Sequence, residues 1–366
     1  MVVPLIKNRK ELRKVLENSL VLPEEEERLV DKKPKTFIIE SNMGGNLNFN
    51  KESPIQTNII DTEDTTLKKL KLITKDNKIL EFYLDISDKR FWLLHSLEEA
   101  SLSSRVVHKL VDFNPSLLDF PWFSSTALEE IGSFGKETGF NLKFENEFLE
   151  NGDEDYEENL KQISMRFWGG RSNDILKDLK ENNKLSKGIA LSSLDLKYKE
   201  ETGYVKEKIN YNGKFVAIKG NSIDSHFNLI NKIKKKYSNF LSKIEDEYRM
   251  NYEKTNLGFK INGSYTLIEF KREIEDLKLF ADILTSCSKP FRLWGVWDFL
   301  DEDYIKIKGI DLHTMHKVNI ELTKNWMRIF LPIESCGNVI ARIFTNLQRH
   351  FDSNITLRGN EDDKIE

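Results

Sequence analysis

KPFRLWGVW at residues 289–297 and SCGNVIARIFTNLQRHF at residues 335–351 are the two stretches that decide the fold. In the second stretch apolar residues recur at intervals of three and four, which is the spacing of one face of an amphipathic helix. We therefore expect a helix over 338–351, packed on a β-sheet, with Trp294 and Trp326 mostly buried. The face expected to meet the sheet consists of Val339, Ile340, Ile343, Phe344, Leu347 and Phe351.

Outward from this region the chain shows short apolar stretches separated by turn residues. The pair Asn212–Gly213 divides two such stretches, and Asp76–Asn77 divides two others, as is typical of β-hairpins. Apolar residues at helical spacing predict one long helix over 222–250. Together these features indicate an α+β fold of two or three mixed α/β units, with short, largely antiparallel sheets and hairpins, each covered by amphipathic helices.

The length of 366 residues fits two or three domains. Polar and acidic runs suggest where they divide. We expect an N-terminal helix and charged arm at 1–35, an α+β unit at 36–144, an acidic linker or loop at 145–160, a basic α+β unit at 161–254, an α+β unit at 255–352 and a polar tail at 353–366. Within the first α+β unit, the asparagine-rich residues 42–66 are expected to form a loop.

Charge is distributed unevenly, although the whole chain carries only −4. Residues 1–160 contain 21 Lys/Arg against 31 Asp/Glu, whereas residues 161–250 contain 19 against 11, a local net charge of +8. An excess of this size indicates a surface for an acidic partner, because a whole-chain average hides local fields. The alternative interpretation is a lysine-rich face that is merely solvated.

The first candidate site combines lysines of the predicted long helix with aromatic residues of the preceding hairpin. Neutralising phosphates and stacking on bases require basic side chains beside exposed aromatic rings. The residues concerned are Lys232, Lys235, Lys236, Lys243, Tyr204 and Tyr211. They predict a nucleic-acid interface in the basic middle unit.

A second candidate is a phosphate site formed by Gly169, Gly170, Arg171 and Ser172, between a predicted strand and a predicted helix. Backbone N–H groups at a helix N-terminus receive phosphates, and Arg171 would add a charge-assisted contact. The run lacks the Lys-Ser/Thr of a P-loop and the third glycine of a dinucleotide fold. The alternative is a tight turn with Ser172 as the helix N-cap.

A third candidate is catalytic. Cys336 precedes the predicted helix at 338–351, a position that favours the thiolate. His313 or His316 would act as a base and Asp311 as an orienting carboxylate. Such spacings are more often structural, so no catalytic residue is assigned. These side chains also lack the paired spacing of a metal site, and neither a metal nor another cofactor is expected.

The leading functional hypothesis is a non-enzymatic protein that binds nucleic acid or acts as an accessory subunit of a nuclease. It would do so through its basic middle unit. A prokaryotic defence or nucleic-acid-processing complex would be its setting. One alternative is a cysteine-dependent enzyme using Cys336 with His313 or His316. Another is a structural module that docks on a protein partner through its N-terminal helix.

Two features bear on the compartment. The chain has only two cysteines, and its basic N-terminal residues follow rather than precede the short apolar start, so we expect a reducing, cytoplasmic location. No apolar run approaches the ~20 residues that span a bilayer, and no membrane partner is expected.

Overall fold

The computed structural model describes residues 6–21, 32–50, 52–148, 161–182, 185–256, 258–359 and 364–365. Contacts between residues divide the chain into two compact units, each assembled from separate segments. Unit 1 comprises Met1–Pro121, Gly132–Thr138 and Leu194–Lys235, and unit 2 comprises Trp122–Ile131, Gly139–Ser193 and Lys236–Glu366.

Seven α-helices lie in the described ranges: α1 (Arg9–Leu20), α2 (Ala100–Asp112), α3 (Ser125–Gly132), α4 (Ser172–Glu181), α5 (Ile223–Lys243), α6 (Leu277–Thr285) and α7 (Asn338–His350). Side-chain caps fix two of the helix starts. Asn8 Oδ1 accepts from the Glu11 N–H at 3.1 Å, and Asp276 Oδ1 accepts from the Leu279 N–H at 2.9 Å. Among the described helices, none combines the length and the apolar character needed to cross a bilayer.

The described strands form three sheets of eleven, two and six strands. The strands are β1 (Lys35–Ser41), β2 (Gln56–Asp61), β3 (Leu67–Ile73), β4 (Ile79–Asp85), β5 (Phe91–Ser96), β6 (Leu118–Asp119), β7 (Lys136–Glu145), β8 (Gln162–Trp168), β9 (Leu191–Glu200), β10 (Gly203–Asn210), β11 (Lys214–Gly220), β12 (Asn251–Thr255), β13 (Gly258–Asn262), β14 (Thr266–Glu269), β15 (Leu293–Asp301), β16 (Tyr304–Asp311), β17 (Lys317–Thr323), β18 (Trp326–Phe330) and β19 (Thr356–Arg358). The first sheet has the order β2-β3-β4-β5-β1-β11-β10-β9-β7-β8, with β6 paired to β1. The second is β12-β13, and the third is β15-β16-β17-β18-β14-β19.

The expected fold class, small units with short sheets covered by helices, is wrong. Strands hold 39% of the residues against 28% in helices, and they join into large antiparallel sheets. The reason lies in β1, which pairs antiparallel with β5 on one side and with β11 on the other. Thr36 thus has His95 and Phe215 as its cross-strand neighbours. Such pairings join hairpins that are far apart in the sequence into one sheet.

The expected loop over 42–66 is also wrong in part, because it contains β2. This strand pairs with β3, with Ile59 opposite Leu70, and it ends the large sheet. Its residues are mostly exposed, so a sequence such as QTNIID shows little apolar alternation. An edge strand with few buried residues leaves a weak signal in the sequence.

The core of unit 2 confirms the predicted C-terminal helix. All six residues of its expected apolar face are buried, together with the apolar residues of the third sheet. Arg342 and Arg349 of α7 are buried as well. The expectation for Trp294 is wrong, since 45% of this residue is exposed, and Trp326 is half-buried. Successive strand residues point to opposite faces, so Trp294 lies opposite the fully buried Leu293.

Candidate functional site

A basic groove of about 560 Å³ lies in unit 1, on three strands that are neighbours in the large sheet. Strand β9 lies between β7 and β10, and each strand contributes at least one lysine. The lining residues are Phe134, Gly135, Lys136, Thr138, Lys197, Lys199 and Lys206. We call this surface the basic groove.

The alternation of the strands explains why lysines gather on this face. On β9, Lys197 and Lys199 flank Tyr198, which is buried on the opposite face. On β10, Lys206 alternates in the same way with the fully buried Val205 and Glu207. Burial of the alternate side chains therefore fixes the register, and the lysines point outward as a consequence.

Gly135 allows the chain just before β7 to approach β9 closely at the edge of the groove. A Cβ atom added to Gly135 would stand 2.5 Å from the carbonyl oxygen of Lys197, closer than any side chain fits. Nearby, Thr138 Oγ1 donates to the carbonyl oxygen of Asp195 at 3.2 Å. These contacts hold β7 against β9, and so bring Lys136 beside the lysines of β9.

The described lining of the basic groove includes four lysines and no carboxylate. Among the described residues, none forms an ion pair with Lys136, Lys197, Lys199 or Lys206. Lys136 and Lys199 are exposed, and the other two are half-buried. The groove therefore presents four ammonium groups to a ligand that carries negative charge.

Two lysines contact aromatic rings. Lys197 Nζ lies 4.6 Å from the ring centroid of Tyr204, and Lys232 Nζ lies 4.1 Å from that of Phe134. Both distances are typical of cation–π contacts. Tyr204 and Phe134 are half-buried, so part of each ring remains accessible. The arrangement brings together Tyr204 and Lys232, two residues of the predicted interface, beside the groove.

Lys214 on β11 is a half-buried lysine of unit 1 that is not among the lining residues of the basic groove. Its ammonium group donates to the carbonyl oxygen of Ala100 at 2.9 Å and to Ser104 Oγ at 2.5 Å. Burial, and secondly repulsion by Lys208, lowers the pKa of Lys214 to about 8. Part of the Lys214 population is consequently neutral just above neutral pH.

The other predicted residues of the nucleic-acid interface differ in their surroundings. Lys235 is exposed on α5, and Lys243 is the half-buried last residue of that helix. Lys236 Nζ forms an ion pair with Glu130 Oε2 at 2.5 Å, which compensates its charge. Tyr211 is half-buried at the turn between β10 and β11.

The predicted phosphate site lies in unit 2, at the turn from β8 into α4. Gly169 adopts a φ of 125°, and no atom lies within 4 Å of a Cβ added to Gly169 or Gly170. Arg171, which is exposed, occupies the N-cap position, so Ser172 is the first residue of the helix rather than its cap. Ser172 is buried, and its N–H donates to the Gly169 carbonyl oxygen at 3.3 Å.

Asp311, one of the catalytic candidates, makes structural contacts. Its carboxylate pairs with Arg342 on α7, and both residues are buried. It also accepts from the N–H groups of His313 at 3.3 Å and Thr314 at 3.1 Å. These hydrogen bonds shape the turn that follows β16 and use both oxygens of the carboxylate.

The remaining catalytic candidates are placed as follows. His313 is fully buried, whereas His316 is part-exposed, with its Nε2 atom 3.9 Å from Glu334 Oε2. Cys336 Sγ accepts from the Asn338 N–H at 3.4 Å, as the first turn of α7 forms. His350 Nδ1 lies 3.1 Å from Glu147 Oε1. In the part of the chain that the structure describes, no three metal-ligating side chains cluster.

Sequence reasoning missed the contribution of β7, of the residues just before it and of β9 to the basic groove, namely Phe134, Lys136, Thr138, Lys197 and Lys199. A signal for β7 was present, because Phe140, Leu142 and Phe144 alternate and are all buried. The Lys-Tyr-Lys alternation at 197–199 likewise indicated a strand with lysines on one face. What the sequence did not contain was the pairing of β7 with β9.

Comparison with known proteins places the chain in a family. Residues 1–366 match the family model described as MJECL33-like protein. A relative from Methanocaldococcus jannaschii, the protein MJECL33, is 30% identical over 316 aligned residues, which cover 75% of this chain and 75% of that protein. The chain therefore belongs to the family of MJECL33-like proteins.

Proposed function

We propose that this protein binds single-stranded nucleic acid along the basic groove. The observation that carries the proposal is the set of four lysines on neighbouring strands, none of them ion-paired within the described residues. Neutralising phosphates with such groups releases counterions, which is the main source of sequence-independent affinity.

The spacing of the lysines favours a polymer over a single anion. Neighbouring strands lie about 5 Å apart, and alternate residues of one strand lie about 7 Å apart. Lys136, Lys197, Lys199 and Lys206 are thus spread over the sheet face rather than gathered around one point. A chain of phosphates is able to contact several of them at once.

The aromatic residues favour single strands. Tyr204 and Phe134 lie beside the lysines with part of each ring exposed. In a single strand the bases are free to stack on such rings, whereas in a duplex they are stacked on one another.

The test is a titration of a fluorescein-labelled oligothymidylate followed by fluorescence anisotropy at several salt concentrations. For single strands the logarithm of the affinity falls with a slope of about −0.7 per phosphate neutralised, so four lysines give a slope of about −3. Raising the salt from about 50 mM to about 200 mM should then weaken binding by at least about 50-fold, because any further cation that contacts a phosphate adds to the slope.

Single substitutions sharpen the test. Lys197→Ala, Lys199→Ala and Lys206→Ala should each weaken binding and reduce the size of the slope by about 0.7. Lys75→Ala is the matched control, because Lys75 is an exposed lysine of the same unit that lies outside the groove. If the oligomer fails to bind at low salt, or if inorganic phosphate displaces it completely at equal phosphate concentration, the proposal is wrong.

A further inference from the structure

A widely exposed aromatic ring of unit 2 with a basic neighbour is the indole of Trp168, at the end of β8. Trp168 is 67% exposed. Its cross-strand neighbour on β7 is Gly139, which offers no side chain to pack against the ring. Most of the indole surface is therefore accessible to a ligand.

A guanidinium group already stacks on this ring. Arg166 Cζ lies 4.1 Å from the Trp168 ring centroid, and the two residues point to the same face because they are two apart on one strand. Since Trp168 remains largely exposed, the ring offers further area for stacking. An indole stacked on one side by arginine suits a flat ligand with a π-system.

Positive charge continues into the turn that follows. Arg171 is exposed, and neither Arg166 nor Arg171 forms an ion pair within the described residues. Between them, Gly169 and Gly170 have open space where side chains would stand. The backbone is therefore approachable from the solvent beside two guanidinium groups, which pair well with phosphate oxygens.

We propose that Trp168 is a base-stacking residue for single-stranded nucleic acid, with Arg166 and Arg171 contacting the phosphates on either side of the stacked nucleotide. This inference rests on the proposed function and assigns the class of ligand from the chemistry at β8. A ring on which a base stacks and flanking guanidinium groups that donate to phosphate oxygens are the two elements of non-specific single-strand recognition. A protein partner would need apolar area beyond this one residue, and here the surroundings are glycine and arginine.

The experiment compares an oligothymidylate with an abasic oligomer that carries the same number of phosphates. The wild-type protein should bind the base-bearing oligomer about tenfold more tightly, because stacking contributes only when bases are present. Trp168→Ala should reduce that preference without changing the salt slope, the remainder being due to stacking on Tyr204 and Phe134, and Trp168→Phe should keep most of the wild-type preference. Arg171→Ala should instead reduce the size of the slope by about 0.7.

Trp294→Ala is the matched control, since Trp294 is an exposed tryptophan on a different sheet. If Trp168→Ala binds both oligomers as the wild-type protein does, the inference is overturned. The same holds if the wild-type protein does not distinguish the two oligomers, in which case the indole serves another kind of partner. The lysine variants of the basic groove separate the two proposals, because they test binding itself and leave Trp168 in place.

Discussion

His226 Nδ1 lies 2.8 Å from Glu207 Oε2, and both side chains are fully buried in unit 1. The Thr36 hydroxyl oxygen lies 2.9 Å from His226 Nε2. The same oxygen lies 2.9 Å from His95 Nδ1. With Glu207 as acceptor, His226 Nδ1 carries a proton. The buried groups thus form one connected hydrogen-bonded network between β1, β5, β10 and α5.

The first prediction concerns Glu207. Burial raises the pKa of its carboxyl group, with His226 opposing that change. Glu207→Ala should lower the free energy of unfolding by about 1–3 kcal/mol, because the His226 N–H loses its acceptor in a buried site. Glu207→Gln keeps an acceptor oxygen and should cost less. Urea unfolding of the two variants checks this, and equal losses would contradict it.

The second prediction concerns pH. Burial, and secondly repulsion by His226, lowers the pKa of His95 to about 3. In the unfolded chain a histidine titrates near about 6.5, so between these values the folded protein binds fewer protons. The contribution of His95 to stability is therefore complete above about pH 6.5 and is lost as the pH falls toward 3.

A variant isolates this contribution. His95→Asn keeps an N–H for the Thr36 hydroxyl but does not titrate. The loss of unfolding free energy between about pH 7 and about pH 5 should be about 2 kcal/mol smaller in His95→Asn than in the wild-type protein. Urea unfolding at the two pH values measures it, and an identical loss in both proteins would show that His95 does not govern the acid response.

The third prediction uses two lysines that lie one helical turn apart on α5. Lys232 stacks on Phe134, which lines the basic groove, whereas Lys236 is paired with Glu130. Lys232→Ala should weaken binding of oligothymidylate several-fold and reduce the size of the salt slope by about 0.7. Lys236→Ala should leave both unchanged. Similar effects of the two substitutions, measured by anisotropy, would mean that general charge and not the groove governs binding.

The fourth prediction compares two tryptophans. Trp92 is 1% exposed in β5, whereas Trp294 is 45% exposed in β15. Trp92→Ala should lower the free energy of unfolding by about 3–5 kcal/mol, the range for large-to-small changes in a core. Trp294→Ala should cost clearly less, because much of its surface stays in contact with water in the folded protein. Thermal and urea unfolding measure the two losses of stability. A loss in Trp294→Ala as large as that in Trp92→Ala would contradict the prediction.

Several elements could be predicted from local sequence patterns. The stripe of apolar residues identifies α5 and α7, and the Asn212–Gly213 pair identifies the β10–β11 hairpin. In that hairpin Gly213 has a φ of 73°, and a Cβ there would stand 2.3 Å from Pro121 Cγ. These features depend on residues a few positions apart, so the sequence contains what is needed to recognise them.

The candidate site could be predicted only in part. Tyr204 and Lys232 were found through local charge and aromatic content, whereas Lys136 and Lys197 were not. The reason is that about 50 residues separate β7 from β9 along the chain. No pattern of neighbouring residues shows that two such distant strands pair. Alternation along a strand shows which face is buried, but it does not name the neighbouring strand.

The sequence by itself determined the helical faces, the hairpin turns, the local charge of the middle segment and the burial of alternate strand residues. Only the tertiary structure decided that β1 joins β5 to β11, that Trp294 and Trp168 remain exposed and that Asp311 pairs with Arg342. The physical reason is the range of the interactions. Periodicity and turn chemistry act between near neighbours, whereas strand pairing, burial of one sheet face and a buried ion pair depend on residues that meet only when the chain has folded.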